Sequence, residues 1–330
     1  MSTTVRTPAT DILNSELYAR RARLQQAISR TADVTPLESL LREVDAALDR
    51  IAHGEYGLCE TCHDPIEPDR LLADPLVRVC LDHLSPAEQR ALEDDLRLAS
   101  RIQSGLLPPR DLVHCGWHTA YVYYPHGIVS GDYCDLVPAR DGSLYFMLGD
   151  VSGKGVAASM LMSQLQAMLR TLVEIELPLA QMMERASRLF GESTLPMQYA
   201  TLVCGRAMSD GHVEIVNAGH PPAVLLGSGT TARVDATGLP MGMWSGQQFG
   251  IKTLDAAAGD TLVLCTDGVI ETEDPDGQAY GFDRFLDVAS RCLDRCASDL
   301  VTSCLQDVTS FRSIAARNDD LTLLALRRVD

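Results

Sequence analysis

The sequence predicts an α+β protein in which a small helical region with a thiol-metal site precedes a larger layered domain. Before Pro109, apolar residues recur at helical spacing on either side of one cysteine cluster. Beyond Pro109, strand-like runs are separated by Gly, Asp and Pro turns. Helical patterns at about 156–176 and 178–190 stand between the early and late strands. This order favours a layered α+β domain over a repeated βαβ unit.

Length, charge and cysteine usage limit the classes of function. The 330 residues are 46% hydrophobic, which supports one or two folded domains. A formal net charge of −17 argues against direct nucleic-acid binding, because duplex phosphates would repel the chain. The sequence shows no secretion signal and no long apolar run, so we expect a cytoplasmic protein without membrane contact. Of the 10 cysteines, three are clustered and the others are scattered, which indicates a reducing compartment and one thiol-metal site.

Two helix starts and a proline pair divide the chain. Thr35-Pro36-Leu37-Glu38 and Ser85-Pro86-Ala87-Glu88 are capping-box patterns, so each predicts the start of a helix. The second helix has an apolar stripe that must be covered by a helix of a second chain or by the larger domain of its own chain. That stripe comprises Leu92, Leu96, Ala99, Ile102 and Leu106.

The predicted regions follow from these signals. We expect a polar segment at 1–35 with a helix at about 11–29, a metal-binding region at 36–84, a linker helix at 85–108 and a large domain at 109–330. Within the large domain, strands are predicted at Tyr199–Arg206, Val213–Asn217, Ala223–Leu226 and Thr261–Cys265, and one helix at about Phe282–Arg312.

Two short motifs predict a zinc site. Cys59-x-x-Cys62 and Cys80-x-x-His83 supply two pairs of soft donors, the usual way to build a tetrahedral zinc site. A segment with little apolar mass gains folding free energy from such a metal, so one structural Zn²⁺ is expected. The stretch "GEYGLCETCHDPIEPDRLLADPLVRVCLDH" resembles the zinc finger of the DksA/TraR family, in which the fourth ligand is usually cysteine. Members of that family enter the secondary channel of RNA polymerase with acidic residues at a coiled-coil tip, and this chain shows no clear tip motif.

The stretch "LGDVSGKGVAASM" permits three interpretations. Its glycine spacing does not match a phosphate-binding P-loop. Gly153-x-Gly155-x-x-Ala158 mimics a dinucleotide fingerprint, yet a long predicted helix stands where a second strand ending in an acid is needed. The third interpretation makes Asp150 a metal ligand at a strand end, where glycines let backbone, metal and substrate approach.

Three further aspartates share this setting. Asp132 follows Gly131, Asp267 ends an apolar strand, and Asp319 precedes the last strand. Taken singly, each is more often a turn residue. Together with Asp150 they form a set of oxygen donors that Mg²⁺ or Mn²⁺ prefers.

These stretches resemble the SpoIIE/RsbU-type serine/threonine phosphatases of the metal-dependent PPM family. The matching motifs, in order over about residues 99–328, are "IQSGLLPP", "VSGDYCD", "GDVSGKGVAASMLMS", "NAGHPP", "GLPMG", "CTDGVIE" and "NDDLTLLAL". The resemblance implies an α-β-β-α sandwich of two antiparallel sheets flanked by helices. It also implies two Mn²⁺ or Mg²⁺ ions, with Asp150 bridging them, the Val151 carbonyl and Asp132 on one side, and Asp267 and Asp319 on the other.

Several neighbouring residues have open roles. Asp320 could replace Asp319 as the ligand, Asp135 could orient ligands without touching metal, and Lys154 could meet substrate phosphate or be solvated. His220 is interpreted as a structural turn histidine, with a general acid as the alternative. Cys134 and Cys265 adjoin ligands but lack the loop of a cysteine phosphatase, and are interpreted as packing residues.

The leading hypothesis is a protein serine/threonine phosphatase that uses metal-activated water. The resemblance implies a phosphorylated STAS-domain (anti-anti-sigma-like) protein of a partner-switching system as substrate, and a homodimer through the 85–107 helix is expected. The alternative is a regulatory module that binds RNA polymerase or another protein and has an inactive phosphatase domain. The presence of all four candidate acids favours the enzyme.

Overall fold

The computed structural model describes residues 8–30, 34–195, 197–227 and 231–329. The chain separates into two compact units, Met1–Asp94 and Asp95–Asp330. Part of the predicted 1–35 segment, namely residues 1–7 and 31–33, lies outside the described residues. Across the described helices, none combines the length and the apolar character that crossing a bilayer requires.

The N-terminal unit is helical. Its helices are α1 (Pro8–Ile28), α2 (Thr35–His53) and α3 (Pro68–Ala73), followed by a short 3₁₀ turn, Leu81–His83. Leu17 of α1 is fully buried with Val44 and Ala47 of α2, so the two helices pack through their apolar faces. Gly54 ends α2 in the left-handed conformation (φ 75°), which glycine adopts at little cost.

The two predicted capping boxes have different outcomes. For α4 (Pro86–Leu106) the prediction is confirmed, because Ser85 N donates to Glu88 Oε2 at 2.8 Å and Glu88 N donates to Ser85 Oγ at 3.3 Å. For α2 the predicted start at Thr35 is confirmed, but the predicted N-cap position is wrong by one residue. Val34 occupies the N-cap and Thr35 is already helical, because the carbonyl of Val34 accepts the hydrogen bond from the Glu38 N–H.

The larger unit contains two antiparallel sheets. The six-stranded sheet has the order β1-β2-β11-β10-β7-β8 and the five-stranded sheet the order β3-β4-β5-β6-β9. The strands are β1 (Asp111–His114), β2 (Trp117–Tyr124), β3 (Asp132–Pro138), β4 (Leu144–Val151), β5 (Ala200–Ala207), β6 (His212–Ala218), β7 (Ala223–Leu226), β8 (Thr231–Val234), β9 (Lys252–Asp255), β10 (Thr261–Cys265) and β11 (Leu321–Arg328). The helices are α5 (Gly155–Val173), α6 (Leu179–Ser193), α7 (Asp267–Ile270), α8 (Phe282–Ser290) and α9 (Ala297–Arg312).

Three apolar clusters define the layers. Met162 and Leu165 of α5 pack with Met147 on the outer face of the five-stranded sheet. Between the sheets, Trp117 and Phe146 are fully buried in a second cluster. A third cluster joins the outer face of the six-stranded sheet to α8 and α9. The predicted α-β-β-α sandwich is therefore confirmed.

One predicted helix is wrong. The segment expected to form a single helix at Phe282–Arg312 is interrupted at 291–296, so that α8 and α9 are separate. A straight helix of that length would extend about 45 Å, longer than the strands it must cover. The interruption lets Phe285 and Val301 pack in the same apolar cluster, and Cys296 Sγ caps α9 by accepting from Asp299 N at 3.4 Å.

Candidate active site

The four predicted aspartates come together at one end of the sandwich. Asp132 begins β3 and lies directly opposite Asp150 of β4 in the five-stranded sheet. Asp267 begins α7 just after β10, and Asp319 precedes β11. Because β10 and β11 are neighbours in the six-stranded sheet, each sheet contributes two acids to this end.

The carboxylate of Asp132 faces the gap between the sheets. It is 1% exposed and accepts hydrogen bonds on Oδ2 from the hydroxyls of Thr266, at 3.1 Å, and Thr322. These threonines are also joined to each other, since Thr322 N donates to Thr266 Oγ1 at 3.0 Å. Two hydroxyls from the opposite sheet therefore fix the direction of this carboxylate.

Two glycines allow the acids to approach closely. A Cβ on Gly131 would lie 3.2 Å from Asp150 Oδ1 and 3.0 Å from the Val151 carbonyl oxygen, the two predicted metal donors of β4. A Cβ on Gly268 would lie 1.8 Å from the Asp320 carbonyl oxygen and 3.3 Å from Asp319 Cβ. Only glycine fits at Gly268 without moving the backbone of the next acidic segment.

The acids raise one another's pKa values. Burial, and then the charges of Asp267, Asp319 and Asp320, raise the pKa of Asp150 to about 7, while Lys154 opposes the rise. Burial, followed by the neighbouring Asp319, also raises the pKa of Asp267. Such crowding of buried acids is costly unless cations neutralise them.

The donor set fits hard divalent cations. It comprises carboxylates and a backbone carbonyl, with no thiolate or imidazole among the predicted ligands. The oxygens are less tightly gathered than the zinc-type cluster described below. In that zinc-type cluster, formed by Cys59, Cys62, Cys80 and His83, the four ligand atoms all lie within 4.8 Å of one another.

The ammonium group of Lys154 lies beside the aspartates and forms an ion pair with Asp319. Its Nζ donates to Asp319 Oδ2 at 2.9 Å and to the Asn318 carbonyl at 2.7 Å. The Lys154 side chain is 60% exposed, so it can move away from this carboxylate without disturbing the core.

Asp320 and Asp135 have other partners. Asp320 accepts from His126 N at 2.6 Å and Gly131 N at 2.9 Å, so it holds the loop before Asp132. Asp135 is fully buried on the opposite face of β3 from Asp132, where Arg170 of α5 binds it through Nε at 2.7 Å and Nη2 at 2.8 Å. Its described hydrogen bonds do not reach the candidate ligands, so any effect on them passes through the β3–α5 contact.

His220 is placed as a structural residue. It is 4% exposed, its backbone N–H donates to Asn217 Oδ1 at 2.8 Å, and its Nδ1 lies 2.9 Å from Thr201 Oγ1. Burial lowers its pKa to about 3, which keeps the ring neutral and unsuited to act as a general acid. Cys134 and Cys265 are buried in apolar clusters.

Sequence reasoning missed the polar residues that hold the acids. Thr266 and Thr322 contact Asp132, and Ser130 Oγ accepts from the backbone N–H of Asp132 at 3.0 Å. Thr322 interrupts an otherwise apolar final strand, "LTLLAL", and this interruption was the available signal. Gln103 of α4, which contacts Ser130, lies within the motif "IQSGLLPP", but nothing in that motif indicates which residue is buried.

The second predicted site lies in the N-terminal unit. Cys59, Cys62, Cys80 and His83 place one ligand atom each within 4.8 Å of one another. Cys62 Sγ is 3.9 Å from Cys80 Sγ, which is 3.2 Å from His83 Nδ1. Burial opposes ionisation of Cys59, but hydrogen bonds from neighbouring backbone groups outweigh it and lower its pKa to about 6. The cluster therefore has the donor composition of a tetrahedral zinc site.

The α-β-β-α fold and the four aspartates at one end of it together define a PPM-type sandwich, the architecture of metal-dependent phosphatases. The family described as stage II sporulation protein E (SpoIIE) matches residues 140–329, more than half of the 330 residues, and the chain belongs to this family. The match includes Asp150, Asp267 and Asp319, whereas Asp132 lies before it. Residues 54–82 match the prokaryotic dksA/traR C4-type zinc finger, and His83 follows directly after that match.

Relatives and solved structures agree with this assignment. Protein IcfG of Synechocystis is 26% identical over 71% of this chain and 41% of its own length. The phosphoserine phosphatase RsbU of Bacillus subtilis is 24% identical over 73% of this chain and 72% of its own. The fold also matches the crystal structure of the RsbU and RsbW domains of Rv1364c from Mycobacterium tuberculosis, with a TM-score of 0.59. The two sequences are 28% identical, and the match covers 68% of this chain and 62% of that one. The chain thus spans less than half of IcfG.

Proposed function

We propose that the chain is a metal-dependent protein phosphatase that hydrolyses phosphoserine or phosphothreonine. The observation that carries the proposal is the convergence of Asp132, Asp150, Asp267 and Asp319 from both sheets. These residues and the Val151 carbonyl would hold two Mn²⁺ or Mg²⁺ ions. Such ions lower the pKa of a water molecule and neutralise phosphoryl oxygens.

The chain's own residues would prepare this site. Thr266 and Thr322 hold the Asp132 carboxylate in one direction, and Asp320 fixes the loop that leads to it. Lys154 is exposed at the edge of the cluster, where its ammonium group can turn from Asp319 towards a substrate phosphate. The crowding that raises the pKa values of these acids also favours cation binding, because a cation removes the repulsion among them.

The proposed substrate is a phosphorylated STAS-domain protein of a partner-switching system. Support comes from the similarity to RsbU, which is described as a phosphoserine phosphatase, and to a structure that combines RsbU and RsbW domains. The alternative, a protein-binding module with an inactive domain, would need a missing acid, whereas all four are present at the edge of the sandwich.

We also propose a structural Zn²⁺ at Cys59, Cys62, Cys80 and His83, and a homodimer through α4. The zinc proposal is supported by the four converging donors.

The dimer is supported by exposed apolar side chains on α4, since Leu92, Leu98 and Ile102 are 43%, 48% and 59% exposed. Light scattering of the full chain and a Leu98→Glu/Ile102→Glu variant tests the dimer. A wild-type monomer would exclude it.

The central experiment measures hydrolysis of p-nitrophenyl phosphate and of a phosphoserine peptide with Mn²⁺ or Mg²⁺, with and without chelator. Activity should depend on the metal, and Asp150→Asn should remove most of it while the protein stays folded. Asp294→Asn, at an exposed position on the surface, is the matched control. Wild-type turnover by Asp150→Asn, or no metal-dependent turnover by the wild type, would refute the proposal.

A further inference from the structure

Helix α4 buries a polar side chain and exposes apolar ones, the reverse of the usual pattern. Of the side chains described in this helix, the buried one is a glutamine, Gln103, at 5% exposed. The adjacent Ile102 is 59% exposed and Leu98 is 48% exposed. Burying an amide costs free energy unless its donor and acceptor are both satisfied, so this inversion requires a specific partner.

Gln103 finds that partner in the backbone of one residue. Its Nε2 donates to the carbonyl oxygen of Ser130 at 2.7 Å, and Ser130 N donates back to Gln103 Oε1 at 3.0 Å. Ser130 is itself fully buried. If Gln103 were removed, a buried N–H and a buried carbonyl would lose their partners.

Ser130 is hydrogen-bonded to Asp132, one of the four candidate metal ligands. Its Oγ accepts from Asp132 N at 3.0 Å. The next residue, Gly131, donates its N–H to Asp320 Oδ2 at 2.9 Å and accepts from Val151 N at 3.2 Å. A shift of Ser130 therefore moves the backbone on which Asp132 stands and the glycine that lies against Asp150 Oδ1.

A second buried glutamine holds the end of the same helix. Gln166 of α5 is 4% exposed, and its Nε2 donates to the carbonyl oxygen of Leu106 at 2.6 Å. The last turns of α4 are thus bonded both to the segment that carries Asp132 and to α5, which begins beside Lys154. These contacts use side-chain amides, whose hydrogen bonds fix direction as well as distance.

We propose that Gln103 is a positioning residue for the metal site: by clamping the Ser130 backbone it sets the placement of Asp132 and thus the affinity for divalent cations. The inference rests on the proposed function, because it assigns the acids to metal binding. Gln103 touches neither metal nor substrate. Its effect should therefore appear in metal affinity more than in the rate at saturating metal.

The test compares full-length variants. Gln103→Leu keeps the size of the side chain and removes both hydrogen bonds, whereas Gln103→Glu keeps the acceptor and removes the donor. Gln89→Leu is the matched control, since Gln89 lies on the same helix and is exposed. Mn²⁺ binding is measured by calorimetry, alongside the Mn²⁺ concentration that gives half-maximal hydrolysis of p-nitrophenyl phosphate.

We expect Gln103→Glu to weaken Mn²⁺ binding about tenfold, the size of one lost hydrogen bond, and Gln103→Leu, which loses two, to weaken it at least as much, with the saturated rates within about twofold of wild type. The control should match the wild type. Unchanged Mn²⁺ constants in folded Gln103 variants would overturn the inference, even if their thermal stability falls. A wild type that neither binds Mn²⁺ nor hydrolyses the substrate would instead overturn the proposed function.

A third variant keeps the test decisive if both Gln103 variants fail to fold. Ser130→Ala leaves the backbone pair with Gln103 and removes the hydroxyl that accepts from Asp132 N. Weaker Mn²⁺ binding is again expected. If this variant binds Mn²⁺ as the wild type does, Ser130 does not transmit position to Asp132 and the inference fails.

Discussion

Asp150 is predicted to destabilise the metal-free protein. Burial and the neighbouring acids raise its pKa from 3.8 to about 7. A folded state in which a carboxyl pKa is raised holds the proton more tightly than the unfolded state does. The free energy of unfolding is therefore highest below the unfolded pKa and falls as the pH rises through the folded pKa. The metal-free fold should therefore lose stability from about pH 4 to about pH 7 through this group.

The size of the effect follows from the same values. A pKa raised from 3.8 to about 7 destabilises the metal-free fold by about 4 kcal/mol at pH 8, and by less than half of that at pH 5, where the folded state keeps the proton. Asn cannot ionise, so Asp150→Asn should stabilise the metal-free protein, by up to about 4 kcal/mol at pH 8 and less at pH 5. Mn²⁺ should stabilise the wild type, because ligands that bind only the folded state do so, and should have little effect on the variant.

Tryptophan fluorescence is a suitable assay. Both of the 2 tryptophans, Trp117 and Trp244, lie in the larger unit, and Trp117 is fully buried in its core. Urea unfolding in chelator at pH 5 and pH 8 therefore reports on the unit that contains Asp150. Asp294→Asn should behave as the wild type. The reasoning is refuted if Asp150→Asn is no more stable than the wild type at pH 8, or if its advantage does not grow with pH.

Three further predictions concern other charged and metal-binding groups. Arg170→Met should destabilise the larger unit by about 3 kcal/mol in urea unfolding, because Asp135 would stay buried without its guanidinium partner; a change below about 1 kcal/mol would show that Asp135 does not need this partner. Cys59→Ser/Cys62→Ser should reduce zinc from one ion per chain to none in elemental analysis after gel filtration, and retained zinc would contradict the ligand set. Lys154→Met should lower the Mn²⁺ concentration needed for half-maximal activity and raise KM for the phosphopeptide; unchanged values of both would mean that Lys154 is only a solvated lysine.

The sequence was informative where local chemistry decides the structure. Turn residues and apolar periodicity located most strands and helices, and the Ser85–Glu88 capping box was confirmed because both of its hydrogen bonds lie within one helical turn. The single helix predicted at Phe282–Arg312 failed because its interruption satisfies tertiary packing, with no Gly or Pro at 291–296 to mark it. Local propensity cannot show such a break.

The candidate site was predictable as a list of acids but not as an arrangement. That Asp132 lies opposite Asp150 depends on β3–β4 register, and the convergence with Asp267 depends on stacking of two sheets. The choice between Asp319 and Asp320 was likewise open in the sequence. In the structure Asp320 accepts two backbone N–H groups of the 126–131 loop, whereas Asp319 faces Lys154.

The partners of the buried acids separate structural carboxylates from candidate metal ligands. Asp135 is paired with a guanidinium in bidentate geometry, so the fold itself supplies its countercharge. Within the described part of the chain, the side-chain donors to the Asp132 carboxylate are neutral hydroxyls, and burial together with the charge of Asp150 raises the pKa of Asp132 well above the usual range. Neutral donors fix the direction of a carboxylate without cancelling its charge. Acids that face one another without a buried countercharge are stabilised by a bound cation, so we expect Asp132, but not Asp135, to act as a metal ligand.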